Sequence, residues 1–524
     1  MKKLLHFNIK TIFSVAAVIT ILWACEKSLD RDGTELDPLV PAKVDDDAGT
    51  WKPFILQSAT EVPLTAPEAV TSSSYQSELA AVKTAVANIT DDQRVAIRYW
   101  AGGGILRWNQ IMRSLVAKRN LPPAENNSGE YPIPNAANPN ADPMFPFANP
   151  PYASRSYAYV SVAQYDALVA AMAYKQLYKR KAPYQVDATI APVIVTKSTL
   201  PSFPSEDAVM AAVTYEMMKR LFPATEDTLF LYKKKEEQKW YKLWAGASTK
   251  SDIEAGEKLG KAIATKVLAR FTSDGMRNAI GVKAQWDSLA KRVEEKGEVA
   301  WVSLENAPRP PMLPFFGNVK TWNMDFATLK DISTKYPPLA YKSEEFKKQV
   351  AEVKEYVTTK ATRENIAIVH FWADGAGTYT PPGHWNAIAA NYVAQEKQSE
   401  FRAARSFALL NSAMMDAAIS CWYTKSYYYF PRPSQADPSI KTLTGVPNFP
   451  AYSSGHSTFS AAASTVLSYL FPSDASKFDA MAKEASMSRL MGGIHYRMDC
   501  EYGLKYGQLV GERAVLRGKA DGVK

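Results

Sequence analysis

Apolar positions along this chain recur at helical spacing. Phe346, Val350, Val353 and Val357 follow one another at intervals of three and four, which puts one face of a helix against a core. Ser343 precedes them as an N-cap, and Glu344 and Glu345 supply the negative charge that a helix N-terminus favours. The run 457–470 is rich in small residues and reads as another helix. Proline-rich stretches at 121–154, 307–315 and 378–383 predict loops between helices. No alternating apolar and polar run of useful length predicts a strand, so the expected fold is all-α.

The helical pattern also repeats. Arg155-Ser156-Tyr157-Ala158, continuing to Ala163, Asp166 and Ala167, lines up with Arg405-Ser406-Phe407-Ala408, continuing to Ala413, Asp416 and Ala417. In that register Lys175 falls on Lys425 and Pro183 on Pro433. Further on, Pro201-Ser202-Phe203-Pro204 resembles Pro447-Asn448-Phe449-Pro450, and Leu221-Phe222-Pro223 matches Leu470-Phe471-Pro472. Asp252, Glu254, Gly256 and Gly260 then match Asp499, Glu501, Gly503 and Gly507. Several matches in unbroken order argue for two related helical bundles, expected at 76–320 and 321–524. Recurrence of small-residue helices by composition alone is the competing explanation.

The N-terminus carries a different pattern. Lys2 and Lys3 precede an apolar run at 11–24 that is short for a spanning helix and reads as an export signal. It ends in Leu22-Trp23-Ala24-Cys25, which resembles a bacterial lipobox, so residues 1–24 are expected to be removed and Cys25 lipidated. The expected location is the bacterial cell envelope, at the periplasmic or outer-membrane surface, with plain secretion as the alternative. Residues 25–75 are rich in Asp, Pro, Ser and Thr, and are expected to form a linker. Of the remaining cysteines, Cys421 and Cys500 are too few for a disulfide framework or a CxxC metal site, and a single bridge between them stays open.

Composition narrows the function classes. The 524 residues are 46% apolar and 22% charged, which excludes collagen, coiled coil and wholesale disorder. The formal charge of +9 comes from 62 Lys and Arg scattered among 53 Asp and Glu, with no RNA-stacking motif, so nucleic acid is not expected as a partner. No long apolar run follows the N-terminus, which argues against a polytopic membrane protein.

Chemistry concentrates in the second half. Lys425 is followed after six residues by Arg432-Pro433; then come Ser454-Gly455-His456; then Ser488-Arg489, His495 and Asp499. Together they offer three permanent cations, a hydroxyl, a glycine amide and two of the chain's five histidines. That set suits a tetrahedral or bipyramidal oxyanion. Ser454 to His456 precede the small-residue helix, so their amides are expected at a helix N-terminus, where anions bind. Gly455 would let backbone approach closely. His495 and Asp499, four apart, would be neighbours on a helix, the carboxylate taking one ring proton and leaving the other nitrogen free.

These blocks, K-x6-RP, a serine-glycine-histidine and SR-x5-H-x3-D, resemble the signature shared by vanadium-dependent haloperoxidases and the type 2 phosphatidic acid phosphatase superfamily. Ser453 stands where that signature usually has proline. The resemblance implies that His495 is the vanadate ligand or the phosphate nucleophile and His456 the acid-base. It implies that Lys425, Arg432, Arg489, Ser454 and the Gly455 amide hold the oxyanion, vanadate or the phosphate that can replace it. Phe371-Trp372-Ala373-Asp374-Gly375 with Thr380-Pro381-Pro382 resembles the haloperoxidase stretch whose aspartate supports the anion-binding arginine, which would pair Asp374 with Arg489. Trp422 and Phe449 match aromatic residues near the halide site, or are ordinary core. His384, in the same proline-rich stretch, reads as a loop or pocket-rim residue.

In the first half Ala182 stands where Arg432 would be, Asp207 near His456 and Ser248 where His495 would be, so no oxyanion is expected there. The implied activity is oxidation of halide by hydrogen peroxide with vanadate as cofactor. The alternative is an exported acid phosphatase acting on a phosphate ester, with His495 as nucleophile and His456 as general acid. A non-enzymatic exported scaffold is a third class, less suited to a chain that keeps every cage residue. A homodimer is compatible with the large helical faces.

Overall fold

The computed structural model describes residues 36–120, 150–193, 200–305 and 310–523. The export signal and Cys25 lie outside the described residues. Every regular element among the described residues is a helix. At the centre are two helices of 29 residues each, Pro150–Tyr178 and Glu400–Tyr428, both buried over most of their length. Both are rich in alanine and serine, small side chains that let packed helices approach closely. Buried amides join them: Asn411 Nδ2 donates to Ser161 Oγ (2.9 Å), Asn386 Nδ2 donates to Asn411 Oδ1 (2.7 Å), and Asn109 Nδ2 donates to Asn386 Oδ1 (2.8 Å). Each central helix ends in a left-handed residue, Lys179 (φ 50°) and Tyr429 (φ 48°), whose N–H closes on the carbonyl of Lys175 or Lys425 at 2.9 Å.

The environments of the two helices correspond in several contacts. Buried Asp166 accepts the N–H groups of Phe54, Ile55 and Leu56 (2.7, 2.7 and 3.1 Å), and buried Asp416 accepts those of Trp322 and Asn323 (2.7 and 2.9 Å). Arg155 pairs with Asp274 as Arg405 pairs with Asp521, each at 2.7 Å. Glu206–Leu221 packs on Lys250–Ser273 as Gly455–Leu470 packs on Arg497–Lys519. In both pairs a glycine allows the contact, since a Cβ on Gly260 would collide with the Val209 carbonyl and one on Gly507 with the Thr458 carbonyl.

Asp37–Lys524 is one compact unit that contains both expected bundles. Two expectations need correction. Within the supposed linker, residues from 37 onward are bound to the helices: Ala48 and Trp51 are buried, and Asp45 bonds Ser399 (2.6 Å) and pairs with Arg402. The linker reading failed because backbone amides captured by distant aspartates leave no apolar period behind. The 378–383 stretch is not all loop, for Thr380–Gln395 is a helix with Pro381 and Pro382 in its first turn. First-turn N–H groups have no intrahelical acceptor, so proline costs nothing there. For the same reason the Pro150–Tyr178 helix begins inside the 121–154 stretch. By contrast, the 346–357 pattern does give a helix, Glu344–Tyr356, with the Phe346 N–H on Ser343 Oγ at 3.2 Å.

Candidate active site

Helix ends assemble the site. Lys425 lies in the last turn of Glu400–Tyr428, Arg432 caps Pro433–Ala436, Ser454 caps Gly455–Leu470, and Arg489 lies in the last turn of Ala475–Met491. His495 sits in the turn before Arg497–Lys519. Exposure is 2% or less at Lys425, Arg432, Ser454, Arg489, His495 and Asp499.

Backbone carbonyls, not carboxylates, hold the cations. Lys425 Nζ donates to the carbonyls of Pro450 (2.7 Å), Ala451 (2.9 Å) and Ser453 (2.6 Å), which wraps that loop around the ammonium. Arg432 donates from Nε to the Phe449 carbonyl (2.9 Å), and from Nη1 to the Ile494 carbonyl (2.8 Å) and His495 Nε2 (3.1 Å). Its Nη2 is buried without a partner. Arg489 donates from Nη2 to the Val369 carbonyl (2.6 Å) and from Nε to Ser488 Oγ (2.9 Å).

His495 Nδ1 meets Asp499 Oδ2 at 2.9 Å, though not by helical spacing. His495 precedes the helix and Asp499 is its third residue, where the same carboxylate oxygen accepts the Tyr496 N–H (3.1 Å). The carboxylate selects the tautomer with hydrogen on Nδ1 and leaves a lone pair on Nε2. His456 is the second residue of its helix rather than a residue before it. It is partly exposed as a residue, but its Nε2 is buried and has no partner. Ser454 Oγ is occupied as a cap, accepting the Ser457 N–H at 3.4 Å.

The electrostatics point to a missing negative charge. Burial brings Lys425 down to about 7, and Arg432 and Arg489 down to about 10. His495 is held well below its ordinary value by burial and by Arg432 and Lys425, and His456 by burial and Arg489. Asp499 is pushed up to about 7 by burial, against the Tyr496 amide and the two nearby cations. Cations left short of counter-charge in a low-dielectric pocket are stabilised by an incoming anion. A tetrahedral oxyanion fits the donor set. Arg432 Nη2 is unsatisfied, and a Cβ on Gly455 would touch only Phe459, at 3.8 Å.

Trp422 and Phe449 lie beside the cage, their rings 5.0 Å apart, with Lys425 Nζ 4.9 Å from the Phe449 centroid. The Trp422 indole N–H is taken by the Met312 carbonyl (3.0 Å). Asp374 requires correction in part: its carboxylate bonds His384 Nδ1 (3.1 and 3.3 Å) rather than Arg489, although its charge still favours the Arg489 cation. The left-handed backbone at Asp374 (φ 45°) turns the chain toward the His384 ring, and Arg489 Nη2 is already held by Val369. His384 is not a loop residue but lies inside the Thr380–Gln395 helix. It is 8% exposed, stacks on Trp372 at 4.6 Å, and its charge bears on His456. Its place two residues after Pro381-Pro382 gave a signal once that pair is read as a helix start. Cys421 and Cys500 are both free and buried, so no bridge joins them.

The family model of the PAP2 superfamily matches residues 405–516. A bacterial vanadium-dependent iodoperoxidase crystal structure is similar at 22% identity and a TM-score of 0.56, covering 78% of this chain and 95% of that one. A holo bacterial vanadium-dependent chloroperoxidase gives 13% identity and a TM-score of 0.48, with 71% and 91% covered. No curated protein sequence matches at a significant level. Residues 405–516, which contain the whole cage from Lys425 to Asp499, are therefore a PAP2-superfamily domain, in a chain whose all-α fold is similar to that of the iodoperoxidase.

Proposed function

We propose that the protein is a vanadate-dependent haloperoxidase-like enzyme that oxidises halide with hydrogen peroxide. The observation that carries this reading is the buried cage of three cations with no carboxylate ion pair, closing on His495 Nε2, whose lone pair faces Arg432 Nη1 at 3.1 Å. The residues fit vanadate: His495 Nε2 would ligate it, and Lys425, Arg432, Arg489 and the Gly455 amide would neutralise its oxygens. Vanadate, when bound, supplies the centre that activates peroxide for two-electron oxidation of halide. Asp499 keeps hydrogen on His495 Nδ1 and so keeps Nε2 available. His456, neutral at physiological pH, can accept the proton of incoming peroxide through its unpartnered Nε2.

Peroxidase is preferred to phosphatase because the cage is buried at 2% exposure or less, which favours small diffusible reactants over a phosphate ester with a bulky leaving group. The likeness to an iodoperoxidase in fold supports the same choice. The phosphatase reading draws on the PAP2 match and uses His495 as nucleophile and His456 as general acid. Bromide-dependent halogenation of a dimedone reporter, with peroxide and with or without orthovanadate, separates the two, using His495→Ala as the blank. Vanadate-dependent turnover supports the peroxidase. Hydrolysis of p-nitrophenyl phosphate, inhibited by vanadate and without halogenation, would replace it with the phosphatase.

We further infer that the two halves derive from one ancestral bundle, supported by the matching Asp166 and Asp416 clasps and the matching Arg155 and Arg405 pairs. Export and lipid anchoring through Cys25 remain part of this proposal.

A further inference from the structure

The first half has a cavity where the second half has its cage, and its charge is reversed. The frame corresponds: the Ser205 N–H donates to the Asp252 carbonyl at 3.0 Å as the Ser454 N–H does to that of Asp499. Lys175 Nζ, like Lys425 Nζ, donates to a carbonyl of the proline-bearing loop before the next helix, that of Pro201 (2.5 Å), three residues short of the counterpart of Pro450. Within this frame the side chains differ. Ala182 occupies the helix-cap position of Arg432, while Glu206 and Asp207 open their helix where Gly455 and His456 open theirs. Glu400 enters from the other central helix, accepting the N–H groups of Gly104 (2.5 Å) and Ile105 (3.0 Å).

Three carboxylates therefore face two ammonium groups. Lys175 pairs with Glu206 at 2.7 Å, and Lys242 reaches Glu206 at 3.6 Å and Asp207 at 3.4 Å. Burial and Asp207 push Glu400 up to about 7, and burial pushes Asp207 up as well. Lys242 is held well above its ordinary value: burial opposes this, but Tyr241, Asp207 and Glu206 outweigh it. Glu206 alone is held down, to about 2, where Lys175 and Lys242 outweigh burial; the raised Asp207, Glu400 and Lys242 have the sign expected beside excess negative charge, opposite to the cage. The cavity, about 370 Å³, also has aromatic walls in Trp100, Tyr184, Tyr241 and Phe401. The Trp100 indole nitrogen is buried without a partner.

We propose that this cavity binds a small organic cation, a primary ammonium on an apolar body, with its head among Glu206, Asp207 and Glu400 and its body against Trp100, Tyr184 and Phe401. Aromatic faces and carboxylates attract ammonium groups by complementary electrostatics. The volume lies at the lower end of the range for small-molecule sites, roughly 300 to 1,000 Å³. An oxyanion would meet three carboxylates there, and like-charge contact is costly. Among the described residues no cluster of metal-ligating side chains forms, which favours an organic cation over a metal ion.

The test uses 4-bromophenethylammonium and its carboxylate counterpart 4-bromophenylpropionate on the full chain. Calorimetry should give one-to-one binding of the ammonium, roughly tenfold or more tighter than the carboxylate, and anomalous scattering from a soaked crystal should put the bromine in this cavity. Asp207→Asn, which removes a charge, and Ala182→Phe, which fills the space, should each weaken binding about tenfold or more. His495→Ala should leave it unchanged, so the result does not depend on the proposed activity. Equal binding of the carboxylate, bromine at another position or no bound bromine would overturn the proposal. The soaked crystal of the unaltered chain decides even where a variant fails to fold.

Discussion

Tungstate affinity as a function of pH is the most direct probe of the cage, because tungstate keeps a fixed dianionic charge through the range where Lys425 titrates. Burial holds Lys425 near 7 against an ordinary value of 10.5. The difference corresponds to about 5 kcal/mol at 1.36 kcal/mol per pH unit, a ceiling for what a bound anion can return to the ammonium. The group's value is depressed in the free protein and rises when an anion binds, so above about pH 7 binding takes up a proton. Affinity therefore falls as pH rises, by up to tenfold per unit from this group. Asp499, near 7 in the free protein, acts in the same direction, since its ionisation adds negative charge beside the anion. Calorimetry in two buffers of different ionisation enthalpy measures the proton uptake directly. Lys425→Met should bind tungstate more weakly and take up about one proton fewer near pH 8. Equal uptake by the two proteins, or an affinity flat between about pH 6 and pH 9, would refute the argument that Lys425 is an uncompensated cation.

Other perturbations test other parts of the molecule. His495→Ala should abolish vanadate binding, while His456→Ala should retain binding, measured by calorimetry, and lose turnover in the dimedone assay by roughly a hundredfold or more. Asp416→Ala strands the buried N–H groups of Trp322 and Asn323; removing a buried carboxylate offsets part of that cost, and urea denaturation should show a net loss of about 2 kcal/mol or more. Gly507→Ala drives a methyl group against the Thr458 carbonyl, which should cost about 1–3 kcal/mol in the same measurement.

The cage was legible because its chemistry is written in short local blocks. Lys425 and Arg432 share one helix end, Ser454 and His456 share another, and His495 lies four residues from its carboxylate. Periodicity likewise gave the all-α class, as at 346–357. What escaped notice depends on contacts between residues far apart in sequence. Asp374 has two candidate partners, His384 and Arg489, and only the backbone turn at Asp374 selects between them. Residues 45–56 carry no apolar period, because Asp45 and the amides near Phe54 are held by polar groups on the central helices. Pro381 and Pro382 read as a loop until their position in a first turn is known. The reversed charge of the first half was visible only in part, as Asp207 at the place of His456; Glu400 joins it from the other half of the chain.

The clasp at Asp45 has a mechanical consequence. A pull on the chain from its N-terminal side loads first the Leu39 N–H bond to the Ala101 carbonyl (2.7 Å) and the Ala42 N–H bond to the Lys397 carbonyl (2.9 Å), and then the bonds of Asp45 to Ser399 and Arg402 at the start of the Glu400–Tyr428 helix. Lys425 stands at the opposite end of that helix, roughly 35 Å away at 1.5 Å per residue. Force entering from that side is thus met at residues 39–45, at the end of the helix away from the cage.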